Sequence, residues 1–284
     1  MGDCRLPIDV VFISRDGIRL GMHKKNLEDF SDGFPPPECD STEDVQLEEK
    51  EEVLRLLFQL MHKQTQPDLR TMSYEILADL AEAAHKYIVH HASMACNLAL
   101  ERYITGQPFK VLRLAKRYEW AELEKAAFGE ARKSKPVDIF AYAVSIDDAG
   151  LCTEFLQKSL RADAEDFIAA LENHECSSIL ATSAFTAWTR LRRHVQSRLL
   201  AALHNSPTIQ HKGGYTDCSL WQQFFYVVKA HVESHPSYED FADIVDREKG
   251  QINCVYCEKK ISHWHNRMAL VEHVRPCNLQ LVQI

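Results

Sequence analysis

The sequence predicts an α+β fold, in which a small sheet with surrounding helices is followed by a mainly α-helical region and a small tail bearing cysteine and histidine. Three observations carry this. An apolar, β-branched run, Asp9-Val10-Val11-Phe12-Ile13-Ser14, has strand length and leads into Arg15-Asp16-Gly17. Asp-Gly favours a tight hairpin turn because glycine tolerates positive φ. From His23 onward apolar residues recur at helical spacing, and three of the nine cysteines fall in the last 31 residues.

The elements follow in order. Ile18-Arg19-Leu20 reads as the returning strand of the hairpin. Leu27, Phe30 and Phe34 mark a helix that Pro35-Pro36-Pro37 must end. Val45-Gln46-Leu47 reads as a short edge strand. A helix over Val53–His62 shows Val53, Leu54, Leu57, Leu60 and Met61 on one face. After a loop holding Pro67, Ser73 opens a long helical stretch to about Ile104, with Ile76, Leu80, Ala84, Tyr87 and Ile88 inward. Gly106-Gln107-Pro108 marks a boundary. Helices then span Phe109–Tyr118, Ala121–Lys133, Pro136–Ile146, Leu151–Asn173, Cys176 or later to His204, and Ser219–Ser234. In the helix ending at His204, Trp188, Leu191, Val195, Leu199 and Ala202 form the apolar stripe. The chain therefore divides into residues 7–105, a helical region at 106–205, and a tail at 215–284.

Composition narrows the class. With 284 residues, 45% hydrophobic and 26% charged, the chain is globular in character, and its length suits about two folding units. Lys plus Arg number 33 against 41 Asp plus Glu, a net charge of −8. Residues 38–52 hold eight acids and one lysine, so the remainder is close to neutral. Nonspecific coating of nucleic acid needs a cationic excess, so nucleic acid is not the expected partner. No run reaches the ~18 apolar residues of a membrane span, and no membrane association is expected. The first residues lack the apolar stretch of a secretory signal. With an odd cysteine count, that points to reduced thiols inside the cell, in cytoplasm or nucleus.

The first third resembles a BTB/POZ domain. The likeness rests on Asp9-Val10-Val11-Phe12, Asp16-Gly17, His23-Lys24-x-x-Leu27-x-x-x-Ser31-x-x-Phe34, Leu56-Leu57-Phe58-Gln59-Leu60-Met61, Gln66-Pro67-Asp68-Leu69, and Leu77-Ala78-x-Leu80-Ala81-Glu82-Ala83-Ala84-x-Lys86-Tyr87. With its helical continuation the chain is similar to BTB proteins abundant in mushroom-forming fungi. The resemblance implies a small sheet capped by helices and used for protein–protein contact, with homodimerisation in many relatives. It implies a charged pocket near the dimer interface, here Asp9 and Lys24, and motif roles for His23, Leu27, Ser31 and Phe34. Some relatives recruit cullin-type scaffolds and carry a hydrophobic-x-Glu element after the helix matching Val53–His62. This chain has Lys63-Gln64-Thr65-Gln66-Pro67-Asp68 there, without Glu, which counts against cullin recruitment.

The tail carries Cys254-x2-Cys257 and His273-x3-Cys277, separated by 15 residues. Two thiolates from a Cys-x2-Cys turn and two ligands one helical turn apart can close a tetrahedral zinc site. Ile261 and Leu270 fit the core positions of a ββα finger. The middle is longer than the ~12 residues usual there, and His263 and His265 fall in the excess as alternative ligands. A further geometry draws Cys176 and Cys218 to Cys254 and Cys257. Buried free cysteines and a redox dithiol are the non-metal readings.

Taken together, the expectation is a non-enzymatic interaction module, a BTB-type adaptor or self-associating scaffold with protein partners. The alternative is a zinc-dependent nuclear regulator that contacts nucleic acid through the tail. No phosphate-binding glycine motif or Gly-x-Ser-x-Gly elbow occurs in the sequence. An open metal site with Glu258 or Glu272 as base is the enzymatic reading, and nothing in the sequence positions either residue.

Overall fold

A computed structural model describes residues 8–34, 44–204, 208–216 and 218–272. It is an α+β protein, mostly helical, with one three-stranded sheet. Strands β1 (Val10–Ile13) and β2 (Arg19–Met22) form the hairpin, and Gly17 takes φ +81° at its turn. Strand β3 (Val45–Gln46) pairs parallel to β1, giving the order β2-β1-β3 with β3 at the edge. The turn also serves the next helix. The Asp16 carboxylate accepts from the Glu51 backbone N–H at 2.9 Å, capping α2 (Glu51–Leu60) from a distance.

The chain divides into two units, Met1–Lys133 and Ser134–Ile284. This division falls later than Gly106–Pro108, so α5 (Pro108–Arg117) and α6 (Ala121–Ala131) belong with the sheet-bearing unit. The two helices pack mainly on each other through Val111, Leu112, Ala115, Leu123 and Ala127. Tyr74 hydroxyl donates to the Lys110 carbonyl at 3.0 Å and ties α5 back to the unit.

The centre of the first unit is aromatic. Phe12 of β1 lies 5.4 Å from both Phe34 and Phe58, and Phe34 stacks on Tyr87 at 4.2 Å. Helix α2 is buried on most of its circumference, through Val53, Leu54, Leu56, Leu57, Phe58 and Leu60. It therefore sits inside the unit rather than on its surface.

In this unit two helices differ from the sequence reading, for one shared reason. Helix α1 spans Lys24–Phe30 and ends at Ser31, short of Phe34. The predicted helix from Ser73 to Ile104 is two helices, α3 (Tyr74–Lys86) and α4 (His90–Leu100), followed by a 3-10 turn at Glu101–Tyr103. The Tyr87 carbonyl accepts from Ser31 Oγ at 2.5 Å and from the Gly33 N–H at 3.1 Å. A Cβ on Gly33 would come within 2.6 Å of the Tyr87 backbone, so only glycine fits there. Turning that carbonyl outward breaks the helix, and Ile88 takes φ +53°. A left-handed residue other than glycine costs about 1–2 kcal/mol, which this double hydrogen bond offsets. Ile88 is consequently exposed, and Leu77 takes the inward place expected of Ile76.

The second unit contains α7 (Pro136–Ser145), α8 (Ala149–Lys158), α9 (Ala164–Asn173), α10 (Ser178–His204), α11 (Ser219–Ser234), α12 (Tyr238–Lys249) and α13 (Val255–Glu272). The single helix expected over Leu151–Asn173 is cut before Ala164. Asp163 accepts from the Asp166 N–H at 2.7 Å and starts a new helix. On α10, Trp188 stacks on Phe167 at 4.5 Å, and Leu203 rather than Ala202 completes the buried stripe. Helix α12 is not among those read from the sequence. Residues 255–272 form one helix, and no strand occurs among the described residues of this unit, so the described part of the tail shows none of the strands of a ββα finger. No helix among the described residues is long and apolar enough to cross a membrane.

Candidate metal centre

Helix α13 carries a buried face made by Cys257, Ile261 and Trp264, spaced i, i+4, i+7. Trp264 sits among Trp221, Phe224 and Phe241 at 5.3–6.0 Å, and its indole N–H donates to the Ala202 carbonyl at 2.8 Å. These contacts anchor the N-terminal end of α13 in the apolar core. Cys254 immediately precedes the helix and Cys257 lies in its first turn, so a separation of three residues brings both sulfurs to the same side.

Two further groups face that side. Cys218 is the residue before α11. His211 lies in a turn closed by His211 N–H to the Tyr215 carbonyl at 2.7 Å and Gly214 N–H to the His211 carbonyl at 3.0 Å. Gly213 and Gly214 take φ of +101° and +84°, which this turn requires. The His211 ring rests 5.2 Å from that of Tyr256. Its Nδ1 is 3.6 Å from Cys254 Sγ, and its Nε2 is 3.8 Å from Cys257 Sγ. One ligand atom from each of His211, Cys218, Cys254 and Cys257 lies within 4.8 Å of all the others, and the group could hold a metal ion.

The donor chemistry fits a tetrahedral ion. With bonds of about 2.3 Å to sulfur and 2.0–2.1 Å to nitrogen, a tetrahedron separates its ligand atoms by about 3.5–3.8 Å. The two histidine–cysteine distances run from opposite nitrogens of one ring, only one of which can ligate, so each is an edge for a different choice of ligating nitrogen. The thiols differ in setting. The Trp221 backbone N–H beside its sulfur holds the half-exposed Cys218 thiol below its ordinary value, against the opposing effect of desolvation. Burial pushes the Cys257 thiol up to about 12, with hydrogen bonding to Cys218 and Cys254 adding to the rise. A bound divalent cation reverses that penalty because it ligates the thiolate.

Of the four tail residues singled out in the sequence, Cys254 and Cys257 are in this cluster. His273 and Cys277 lie outside the described residues. Cys218 joins it as the distant-helix geometry anticipates, but Cys176 does not and instead donates to the Ala141 carbonyl at 3.3 Å. His263 is exposed on α13 and is not part of the group. His211 was not singled out. Its one sequence signal is its place just before Gly213-Gly214, a turn that can present a side chain.

The BTB-like residues gather at the other end of the chain. The Asp9 carboxylate accepts from the Lys24 backbone N–H at 3.3 Å, which ties the residue before β1 to the first residue of α1. His23 is buried, with its ring 5.2 Å edge-on from that of His62. Leu27 and Phe34 are core residues. Compared with protein-family models and with curated proteins, the chain matches none.

Proposed function

We propose that this chain is a non-enzymatic protein–protein interaction module of the BTB/POZ type, self-associating through its first unit and acting as an adaptor. The observation that carries this reading is the corner where Asp9 meets Lys24. Next to Asp9 in the chain, Ile8 is 66% exposed. Gly21 leaves room for Ile8, since a Cβ there would come within 2.8 Å of its side chain. An exposed apolar side chain next to a carboxylate suits a contact surface with an apolar centre and a polar rim. The absence of Glu in the Lys63–Asp68 loop keeps cullin scaffolds out of the proposal.

Zinc is the proposed occupant of the Cys/His cluster. Three sulfurs and one imidazole favour it over hard cations, which take oxygen ligands.

Size-exclusion chromatography with light scattering tests self-association. A dimer is expected at tens of micromolar for the full chain, and Ile8→Asp should weaken it at least tenfold with an unchanged circular dichroism spectrum. A strict monomer at that concentration would overturn the reading.

A further inference from the structure

We propose, resting on the zinc reading above, that the metal is held by His211, Cys218, Cys254 and Cys257 in a closed structural site, and not by the Cys254-Cys257-His273-Cys277 series that the sequence spacing suggests. All four ligands come from described residues, and the site ties the loop at 208–216 to the starts of α11 and α13.

Three arguments converge on this set. The first is distance. His211 places Nδ1 3.6 Å from Cys254 Sγ and Nε2 3.8 Å from Cys257 Sγ, so whichever nitrogen ligates already lies about one tetrahedral edge from one of the two sulfurs. The group as a whole needs only to contract from 4.8 Å. The second is the path of the chain. A finger needs a compact turn between its Cys-x2-Cys and its later pair of ligands. Here an unbroken helix runs from Val255 to Glu272 and, at 1.5 Å per residue, carries the chain about 22 Å from Cys257. The third is charge. Three thiolates and a neutral imidazole around Zn²⁺ leave one net negative charge. Cys218 and Cys254 place that charge at the N-termini of α11 and α13, where helix dipoles favour it. With four protein ligands no coordination position is left for water, which makes the site structural rather than catalytic.

The test uses the full chain, purified under reducing conditions, with zinc content measured and cobalt(II) substituted as a spectroscopic probe. About one zinc per chain is expected, and cobalt should show intense tetrahedral visible bands with sulfur-to-metal charge transfer. Cys218→Ala and His211→Ala should each lower zinc affinity at least tenfold, whereas His273→Ala and Cys277→Ala should leave it unchanged. Cys218→His preserves a ligand, so it guards against misfolding of the alanine variants; it should retain metal with weaker thiolate charge transfer. If zinc survives Cys218→Ala and is lost in His273→Ala, the ligand assignment fails and the zinc reading stands. If the wild-type chain takes up no zinc on reconstitution, the zinc reading itself fails.

Discussion

In the first unit Phe12, Phe34, Phe58 and Tyr87 meet ring to ring and hold the sheet to its helices. In the second, the last helices combine a core around Trp264 with polar ties: the Cys/His cluster, and an arginine reaching across loops. Arg192 of α10 donates to the carbonyls of Ala162 and Ser234, joining α10 to the start of α9 and the end of α11. A cation at the C-terminal end of α11 also complements its dipole. The difference teaches where each region is vulnerable. An apolar nucleus fails when volume is removed, whereas a polar tie fails when one donor or ligand is lost.

The strongest way to break the comparison is Phe58→Ala. Phe58 is fully buried between Phe12 and Phe34, so the truncation should cost about 3–5 kcal/mol. Urea unfolding of the full chain checks this, and zinc content should not change. A parallel loss of metal would show that the two regions are not independent. Next in size is Arg192→Leu, which leaves carbonyls of the second unit without their donor and should cost about 1–3 kcal/mol in the same measurement. An effect under 0.5 kcal/mol would mean that water replaces the guanidinium freely.

The smallest effect is a pH dependence. Burial alone would raise the Glu49 carboxyl, but hydrogen bonds from Lys86 and the Tyr87 hydroxyl outweigh it and hold the group below its ordinary value. A folded value below the unfolded one means the contribution is complete above about pH 4.5 and is lost as pH falls through the folded value. Partial exposure of Lys86 screens the pair, so about 0.5 kcal/mol is expected. Glu49→Gln should flatten the acid limb of the stability curve by that amount, and an unchanged limb would remove this pair from the account.

Much of the fold was legible in the residues. The strand at Val10–Ile13, its Asp16-Gly17 turn, the edge strand at Val45-Gln46 and the helix over Ser219–Ser234 all follow from local pattern. Such signals depend on neighbours a few residues away, which sequence displays directly. The break at Ile88 did not show, because its cause is a carbonyl drawn toward Ser31 and Gly33 from more than fifty residues away. The cysteine pair at 254 and 257 pointed to the Cys/His cluster for the same local reason: its spacing alone puts two sulfurs on one side of a turn.

By itself, then, the sequence determined the α+β class, most helix positions, the charge concentrated in residues 38–52, and half of the cysteine–histidine group that could hold a metal ion. Only the tertiary structure decided the other half. It made residues 255–272 one helix, and the packing of Trp264 against Trp221, Phe224 and Phe241 set the start of α13 beside Cys218 and His211. A ligand set assembled across separate helices has no fixed spacing along the chain. It exists only once apolar burial has brought those helices together.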